Sequence, residues 1–372
     1  MNWKRKSERN WGRLGMKYRL DEIVDVTMGQ SPKSEYYNTE KNGYPFLQGN
    51  RTFGFKYPTF DTYTTVATKF AKAGDVIMSV RAPVGALNIT PVGMCLGRGV
   101  CSLRMKNGNQ SFLFYMMKYY VSHLLKRESG TVFGSVNRND INGLEVDIPE
   151  DVEKQKRIAR YLEMIDDKIE LNNVVNNNLE QQAQAIFDNM FPDISNGYCT
   201  IGDYITPKRG KSLLSKNAIF GDIPVIAGGL EPSTYHNVAN TQSPILTISA
   251  SGANAGYVSL WNVPVWSSDS SFIDSSMTDD VYFWYVLLKK RQKEIFDAQT
   301  GSAQPHIYPK HIASMSISSL DIEEVHSYTS IVTPIFEMIG QHKEENTILA
   351  STRDSLLPKL MSGELDVSNI DL

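Results

Sequence analysis

The sequence predicts an α+β protein, with two repeated α/β domains that have β-rich cores and two long helices that separate them and form an antiparallel coiled coil. Three observations predict this fold class: a heptad pattern in mid-chain, a weaker one near the C-terminus, and a repeated order of motifs before each. At roughly 150 residues per domain, a chain of 372 residues has room for all of these. We expect boundaries at 1–150, 151–192, 193–325 and 326–372.

The central heptad pattern lies between Asp151 and Phe191, a stretch without glycine or proline, and Pro192 follows it as a helix stop. Apolar positions recur in alternating steps of four and three residues, which places them on one seam of a helix. A surface helix of a globular domain is the alternative, but about 40 residues is over three times the mean helix length, so we favour a coiled coil. The predicted seam comprises Ile158, Leu162, Ile165, Ile169, Asn172, Asn176, Leu179 and Ile186.

A second seam runs from Val332 to Leu360 in steps of three and four. Both helices place an asparagine near mid-length, as expected if they pair with each other, and a seam asparagine is a known means of fixing register. Because proline lacks the N–H of a helix interior, Pro358 is expected to kink or end the helix around Leu357. The second seam includes Ile339, Asn346, Leu349 and Leu356.

The segments before the two helices correspond in order, which indicates an internal repeat. Short β-strands with Gly/Pro turns, an aromatic-rich helix and a final turn occur in each half. An economical topology pairs the helices antiparallel and sets the two domains at opposite ends. The corresponding pairs are 44–50 with 223–229, 74–81 with 243–250, 112–117 with 282–287, and 139–141 with 310–312.

The net charge of −3 conceals an uneven distribution. Residues 1–150 carry 21 Lys and Arg against 13 Asp and Glu, whereas residues 321–372 carry 3 against 10. Because local charge on a face governs phosphate affinity, the first third is suited to a polyanion and the last part is not. A solvated surface is the alternative explanation for the basic excess.

Several protein classes are excluded by composition. The sequence has no run of about 18 apolar residues, the length needed to span a membrane. The basic N-terminus lacks the apolar segment of a secretory signal. Cys95, Cys101 and Cys199 form no CxxC pair, so a disulfide framework is not expected and a reducing cytoplasm is the predicted compartment.

Motifs for catalysis are also missing from the sequence. A DNA methyltransferase acting on amino groups would need an Asp/Asn-Pro-Pro-aromatic motif, and the chain has no Pro-Pro pair. It also has no GxxxxGK[ST] phosphate loop and no HExxH metal motif. His306 and His311 have a tolerable ligand spacing but no thiols nearby. We therefore expect no catalytic site, metal or cofactor on this chain.

The motifs and their order resemble the specificity (S) subunits of type I restriction–modification enzymes over nearly the full length. The segments that carry the resemblance are 29–32 (GQSP), 154–159 (KQKRIA), 300–307 (TGSAQPHI) and 355–364 (SLLPKLMSGE). Residues before Met16 look like an N-terminal extension that the family pattern does not include.

The resemblance implies that 1–150 and 193–325 are target recognition domains, each reading one part of a split, asymmetric double-stranded DNA sequence. The helices would act as a ruler between them. The family's subunit does no chemistry. It docks two methyltransferase (M) subunits and two restriction/translocase (R) subunits, to which S-adenosylmethionine, ATP and magnesium would belong. A non-DNA structural adaptor, with two β-rich interaction domains on a coiled-coil rod, is the alternative.

Residues suited to DNA contact occur in Gly/Pro-flanked loops of both domains. Arginine matches the acceptors of guanine, Asn and Gln match adenine, and cations contact phosphates. The candidates are Gln30, Lys33, Asn50, Arg51, Arg81, Arg98 and Arg138 in the first domain, and Lys208, Arg209, Lys211, Asn254, Ser268, Gln304 and His306 in the second.

Overall fold

The computed structural model describes residues 15–126, 134–301 and 304–367. The basic residues before position 15, and parts of the repeated turns at 127–133 and 302–303, lie outside the described residues. The chain divides into two compact units. Unit 1 comprises Met1–Glu170 with Thr347–Leu372, and unit 2 comprises Leu171–Asn346.

Unit 1 is a β-rich α/β domain. Its strands are Met16–Arg19 (β1), Val24–Met28 (β2), Tyr37–Asn38 (β3), Tyr44–Leu47 (β4), Tyr63–Thr64 (β5), Phe70–Ala71 (β6), Val76–Ser79 (β7), Leu87–Ile89 (β8), Met94–Leu96 (β9), Val100–Met105 (β10) and Glu145–Ile148 (β11). Its helices are Leu20–Ile23 (α1), Gln110–Lys126 (α2), Arg138–Asn142 (α3) and the first part of Val152–Met190 (α4).

The strands of unit 1 form an antiparallel sheet, β2–β10–β7–β8, a mixed sheet, β3–β5–β4–β9–β6, and the pair β1–β11. The helix α2 begins where Asn109 Oδ1 accepts a hydrogen bond from the Phe112 N–H (3.2 Å), an N-cap contact. Its aromatic and methionine side chains are buried against the antiparallel sheet and α4.

Unit 2 repeats this plan with fewer strands in the mixed sheet. Its strands are Cys199–Thr200 (β12), Lys208–Arg209 (β13), Ile223–Ile226 (β14), Thr234–His236 (β15), Ile245–Ser249 (β16), Val258–Trp261 (β17), Trp266–Ser267 (β18), Ser270–Asp274 (β19) and Ser316–Ile317 (β20). Its helices are Val281–Lys290 (α5), Gln292–Asp297 (α6), Pro309–Ala313 (α7) and the first part of Ile322–Ser362 (α8).

The internal repeat is confirmed by strand pairing. The antiparallel sheet β13–β19–β16–β17 of unit 2 has the same arrangement as β2–β10–β7–β8. The matched segments around β4 and β14 each pair in parallel with a later strand, β9 and β18 respectively. The matched helices α2 and α5 are each buried in their unit's main core. The predicted fold class is therefore confirmed.

The two long helices pack antiparallel within each unit. In unit 2, Asn172 Nδ2 donates to Asn346 Oδ1 (2.8 Å), and Asn176 Oδ1 accepts from His342 Nδ1 (2.7 Å). A later residue of α4 thus contacts an earlier residue of α8, as in an antiparallel pair. The seam positions are buried or half-buried: Ile158, Leu162, Ile165, Ile169, Asn172, Asn176, Leu179, Ile186, Ile339, Asn346, Leu349 and Leu356.

In unit 1, the same two helices meet around an ion pair. Arg353 Nη1 lies 2.7 Å from Asp166 Oδ1, and the Tyr115 hydroxyl donates to the other carboxylate oxygen at 2.8 Å. Burial alone would lower the pKa of Arg353, but its hydrogen bond to Asp166 and the charge of that carboxylate raise it. Arg353 is therefore charged although its side chain is buried.

Two details of α8 differ from the sequence prediction. The helix starts at Ile322, before the predicted boundary at 326, because Asp321 Oδ1 caps it by accepting from the Glu323 N–H at 3.0 Å. It also continues through Pro358 to Ser362, so of the two expected outcomes near Leu357, a kink or an end, the end is wrong. Leu357, Leu360 and Met361 are buried in the unit 1 core, and this burial offsets the cost of an interior proline, about 3 kcal/mol.

Candidate nucleic-acid interface

Four of the predicted DNA-contact residues of unit 1 line one concave surface. They are Gln30, Lys33, Arg51 and Arg98, and the concavity has a volume of about 780 Å³. Its wall carries three cationic side chains and a single carboxylate, that of Asp61, among the described residues that line it. The sequence pattern therefore identified residues from separate loops that the fold brings together.

Backbone-to-backbone packing of three loops builds this concavity. The loops follow β2, β4 and β9, and they are joined by hydrogen bonds from Gln30 N–H to the Leu96 carbonyl (2.9 Å) and from Gly99 N–H to the Gln48 carbonyl (2.9 Å). A Cβ on Gly97 would lie 2.7 Å from the Gln48 Cα. Only glycine allows so close an approach, which explains the glycines that flank the predicted contact residues.

A hydrogen-bond chain orients Gln48, an exposed residue that lines the concavity. The Arg98 N–H donates to Ser31 Oγ (3.1 Å), and the Ser31 hydroxyl donates to Gln48 Oε1 (2.8 Å). With its oxygen engaged, Gln48 presents its amide N–H groups as hydrogen-bond donors. The Arg98 guanidinium is exposed and has no hydrogen-bond or ion-pair partner among the described residues.

Arg51 is held by a neighbouring carboxylate. Its Nη2 lies 2.6 Å from Asp61 Oδ2. The hydrogen bonds of Arg51 and of the Thr62 hydroxyl lower the pKa of Asp61, which is therefore ionised at neutral pH. Because both side chains of the pair are exposed, a phosphate could replace Asp61 as the partner of Arg51 at little cost.

The other unit 1 candidates lie outside this concavity. Asn50 is half-buried, and its carbonyl accepts from the Phe53 N–H. Arg81 is exposed just after β7 and forms a backbone bridge with Ser135. Arg138 starts α3 and its guanidinium donates to the Val26 carbonyl (2.6 Å), which ties that side chain to the edge of the sheet.

In unit 2, two predicted residues are linked through a shared network. The Arg209 guanidinium pairs with Asp269, whose other oxygen accepts from the Ser251 hydroxyl. Ser251 in turn forms a backbone bridge with His306, whose ring stacks over Tyr308 at a centroid distance of 6.0 Å. Lys208 and Lys211 are exposed on the same segment as Arg209.

The remaining unit 2 candidates differ in accessibility. Ser268 is only 5% exposed, and its hydroxyl accepts from the Leu213 N–H (2.9 Å). The structure therefore gives Ser268 a role in holding a loop, which corrects its prediction as a surface contact. Asn254 is half-buried in a turn and lies 3.5 Å from the Gly228 carbonyl. Gln304 is exposed.

Comparisons with known proteins show what this chain is similar to. Residues 15–181 match the family model described as the type I restriction modification DNA specificity domain. The chain is 36% identical over 170 residues to the putative type I restriction enzyme MjaX specificity subunit of Methanocaldococcus jannaschii, a match covering 45% of this chain and 40% of that relative. It is 26% identical over 341 residues to the MjaIX specificity subunit of the same organism, covering 80% of this chain and 79% of the relative.

Residues 15–181 of this chain therefore match a type I restriction modification DNA specificity domain. The crystal structure of an S subunit from M. genitalium has a similar fold, with a TM-score of 0.58 at 19% identity, covering 97% of this chain and 99% of that one. The family resemblance stated from the motifs is thereby confirmed.

Ser31, Gln48 and Asp61 are polar residues of the unit 1 concavity that sequence reasoning missed. Gln48 precedes the Gly-Asn-Arg motif that singled out Arg51, so a signal for it was present. The partnership of Ser31 with Gln48 depends on contacts between distant loops and has no local signal.

Metal centres and membrane spans are both absent from the part of the chain that the structure describes. No group of three or more His, Cys, Asp and Glu side chains within that part of the chain is arranged to hold a metal ion. No helix there is long and apolar enough to cross a bilayer.

Proposed function

We propose that this chain is the DNA sequence-recognition subunit of a type I restriction–modification complex. It binds a bipartite, asymmetric duplex target and docks the methyltransferase and restriction subunits, two of each, without catalysing a reaction itself. S-adenosylmethionine, ATP and magnesium belong to those partners. Its free cysteines fit a reducing cytoplasm.

The unit 1 concavity is the observation that carries this proposal. Lys33, Arg51 and Arg98 supply positive charge for phosphates or guanine edges, and Gln48 presents preorganised donors for a base edge. Within the described residues, the Arg98 guanidinium and the Gln48 amide N–H groups have no protein acceptor, and the exposed pairs of Arg51 with Asp61 and Lys33 with Glu35 can be exchanged for phosphate contacts at little cost. The different chemistry of the unit 2 candidates supports an asymmetric target.

The test begins by mapping methylated positions in a host genome with and without this gene and its methyltransferase partner. The mapped sequence then serves as a duplex probe for the co-purified complex at several salt concentrations. We expect log affinity to fall by about 0.9 for each phosphate contact per unit of log salt. Methylation that does not depend on the gene, or a binding constant insensitive to salt, would contradict DNA recognition and favour the adaptor.

Partner docking is proposed on the exposed apolar side chains of the long helices. In unit 2, Ile331 and Met338 of α8 are about half exposed. They are seven residues apart on one side of the helix, and neighbouring exposed apolar side chains are typical of a protein interaction site. We expect the double substitution Ile331→Lys with Met338→Lys to reduce methyltransferase co-purification strongly. The control is Ser327→Lys with Gln341→Lys, two exposed polar positions on the same helix that add the same charge. Unchanged assembly by the double variant would reject this docking face.

A further inference from the structure

A loop of unit 2 exposes an unusual apolar tip. In residues 212–220, Phe220 is 96% exposed, Ile219 60% and Leu214 56%. Single exposed apolar residues are ordinary, but three in one short loop mark an interaction surface. By the alignment of 44–50 with 223–229, the corresponding segment of unit 1 is 33–41, and its aromatic residues Tyr36 and Tyr37 are half-buried.

The loop is anchored at both ends by side chains of the unit 2 sheets. Trp266 Nε1 donates to the Lys211 carbonyl (2.7 Å), and the buried Ser268 hydroxyl accepts from the Leu213 N–H. At the other end, the Ile219 N–H donates to Nδ1 of buried His236 (3.0 Å). The ring centroids of His236 and Trp266 are 5.1 Å apart, so the side chains that hold the two ends of the loop pack against each other.

Close packing after the tip restrains it further. A Cβ on Gly221 would lie 2.5 Å from the Asn237 Cα, so this position requires the backbone contact that only glycine permits. The Phe220 side chain therefore projects from a backbone whose position is restrained by these contacts. A rigidly presented aromatic loses little conformational freedom on binding.

Charge around the tip favours a polyanionic partner. From residue 203 to 222 the chain has four cations, Lys208, Arg209, Lys211 and Lys216, against two carboxylates at its ends, Asp203 and Asp222. Arg209 is paired with Asp269, and the three lysines are exposed. Apolar side chains flanked by cations are typical of protein elements that insert between base pairs while lysines contact the adjacent phosphates.

We propose that residues 212–220 form a DNA wedge in which Phe220, supported by Ile219, enters between two base pairs of the half-site read by unit 2. The wedge rests on the proposed DNA-recognition function and adds a local distortion of the duplex to it. The sequence dependence of unstacking would then contribute to target selection at a step that makes no hydrogen bond.

The experiment uses the chain co-purified with its methyltransferase and duplexes of the mapped target with 2-aminopurine placed at successive positions. Insertion unstacks the neighbouring base, so we expect fluorescence to rise at one step with the unsubstituted protein. Phe220→Ala should abolish the rise and weaken binding about tenfold, as for loss of one aromatic stacking contact. Phe220→Trp should retain both.

Tyr198→Ala is the matched control, because Tyr198 is a fully exposed aromatic residue of unit 2 outside the loop. It should behave as the unsubstituted protein, and thermal melting should be the same for both alanine variants. Phe220→Ala with unchanged affinity and fluorescence would overturn the wedge. So would loss of affinity when the unsubstituted protein gives no fluorescence rise, which indicates a groove contact without insertion.

Loss of methyltransferase co-purification by Phe220→Ala would also overturn the wedge, because the tip would then bind a protein. These failures are distinct from failure of the proposed function. In that case the unsubstituted complex would itself not bind the mapped duplex.

Discussion

Units 1 and 2 use the same pair of helices but join them with different chemistry. In unit 1 the seam contains a buried ion pair, Asp166 with Arg353, supported by the Tyr115 hydroxyl. In unit 2 the seam contains neutral amides and an imidazole, with Asn172 bonded to Asn346 and Asn176 bonded to His342.

The difference shows that either an ion pair or amide hydrogen bonds can specify the register of the two helices, and that the cost of losing one partner differs between them. A buried charge that loses its partner is costly, whereas an amide that loses one hydrogen bond is less so. Both contacts are directional, and apolar side chains alone would tolerate sliding of one helix along the other. The unit 1 seam is therefore the more sensitive of the two to substitution.

The largest expected effect comes from breaking the unit 1 ion pair. Arg353→Met should lower the free energy of unfolding by about 3–5 kcal/mol, because Asp166 would remain buried without its cation. Urea denaturation monitored by circular dichroism measures the change. Arg160→Met, at an exposed position of α4, is the control and should have little effect.

Removing both charges sharpens this prediction. In Asp166→Asn with Arg353→Met, the asparagine can still accept from Tyr115, so much of the lost stability should return. A double variant less stable than Arg353→Met would show that the cost does not come from the unpaired carboxylate.

A smaller effect is expected from the amide contacts in the unit 2 seam. Asn172→Ala removes the amide that donates to Asn346 and Glu345, and we expect a loss of about 1–3 kcal/mol in the free energy of unfolding. Asn177→Ala, on the exposed side of the same helix, should be neutral or slightly stabilising because alanine favours helix. Equal effects of the two substitutions would mean that the seam contact contributes nothing.

The recognition surface of unit 1 should respond in specificity rather than stability. Gln48→Ala should weaken binding to the mapped target by about 1 kcal/mol, the value of one hydrogen bond, and relax preference at one base pair. Ser31→Ala leaves Gln48 in place but frees its amide, so a partial relaxation at the same base pair is expected. Competition binding against singly substituted duplexes measures both. Relaxation at different base pairs would separate Ser31 from Gln48.

The smallest effect concerns pH and the start of α8 in unit 2. His326 lies 2.9 Å from the carboxylate of Asp280, and this hydrogen bond and charge raise the His326 pKa above its ordinary value of 6.5. The charged pair therefore adds stability that is fully present below pH 6.5 and is lost as pH rises through the higher folded-state pKa.

The stability difference between the unsubstituted protein and His326→Gln should accordingly be larger at pH 6 than at pH 9. Melting temperatures across that range measure it. In an Asp280→Asn background the pH-dependent part of the difference should disappear. Its persistence there would assign the titration to another group.

Local patterns were sufficient for the long helices and the internal repeat. Heptad spacing placed Asn172 and Asn346 on seams, and both are on the observed contact between helices. The same pattern could not show that α8 continues past Pro358, because burial of Leu357 and Leu360 in a distant core outweighs the local penalty. The local pattern also could not predict the solvent exposure of Ser268, because buried and exposed serines occur in similar local sequences.

By itself, the sequence determined which residues face the helix seams, where each half repeats the other, and which family the chain resembles, because periodicity and ordered motifs are local properties. The tertiary structure alone decided which partner each polar group found: Asp166 for Arg353, Ser31 for Gln48, and His236 for the loop that displays Phe220. Such pairings depend on distances between segments far apart in the chain, which no local pattern records.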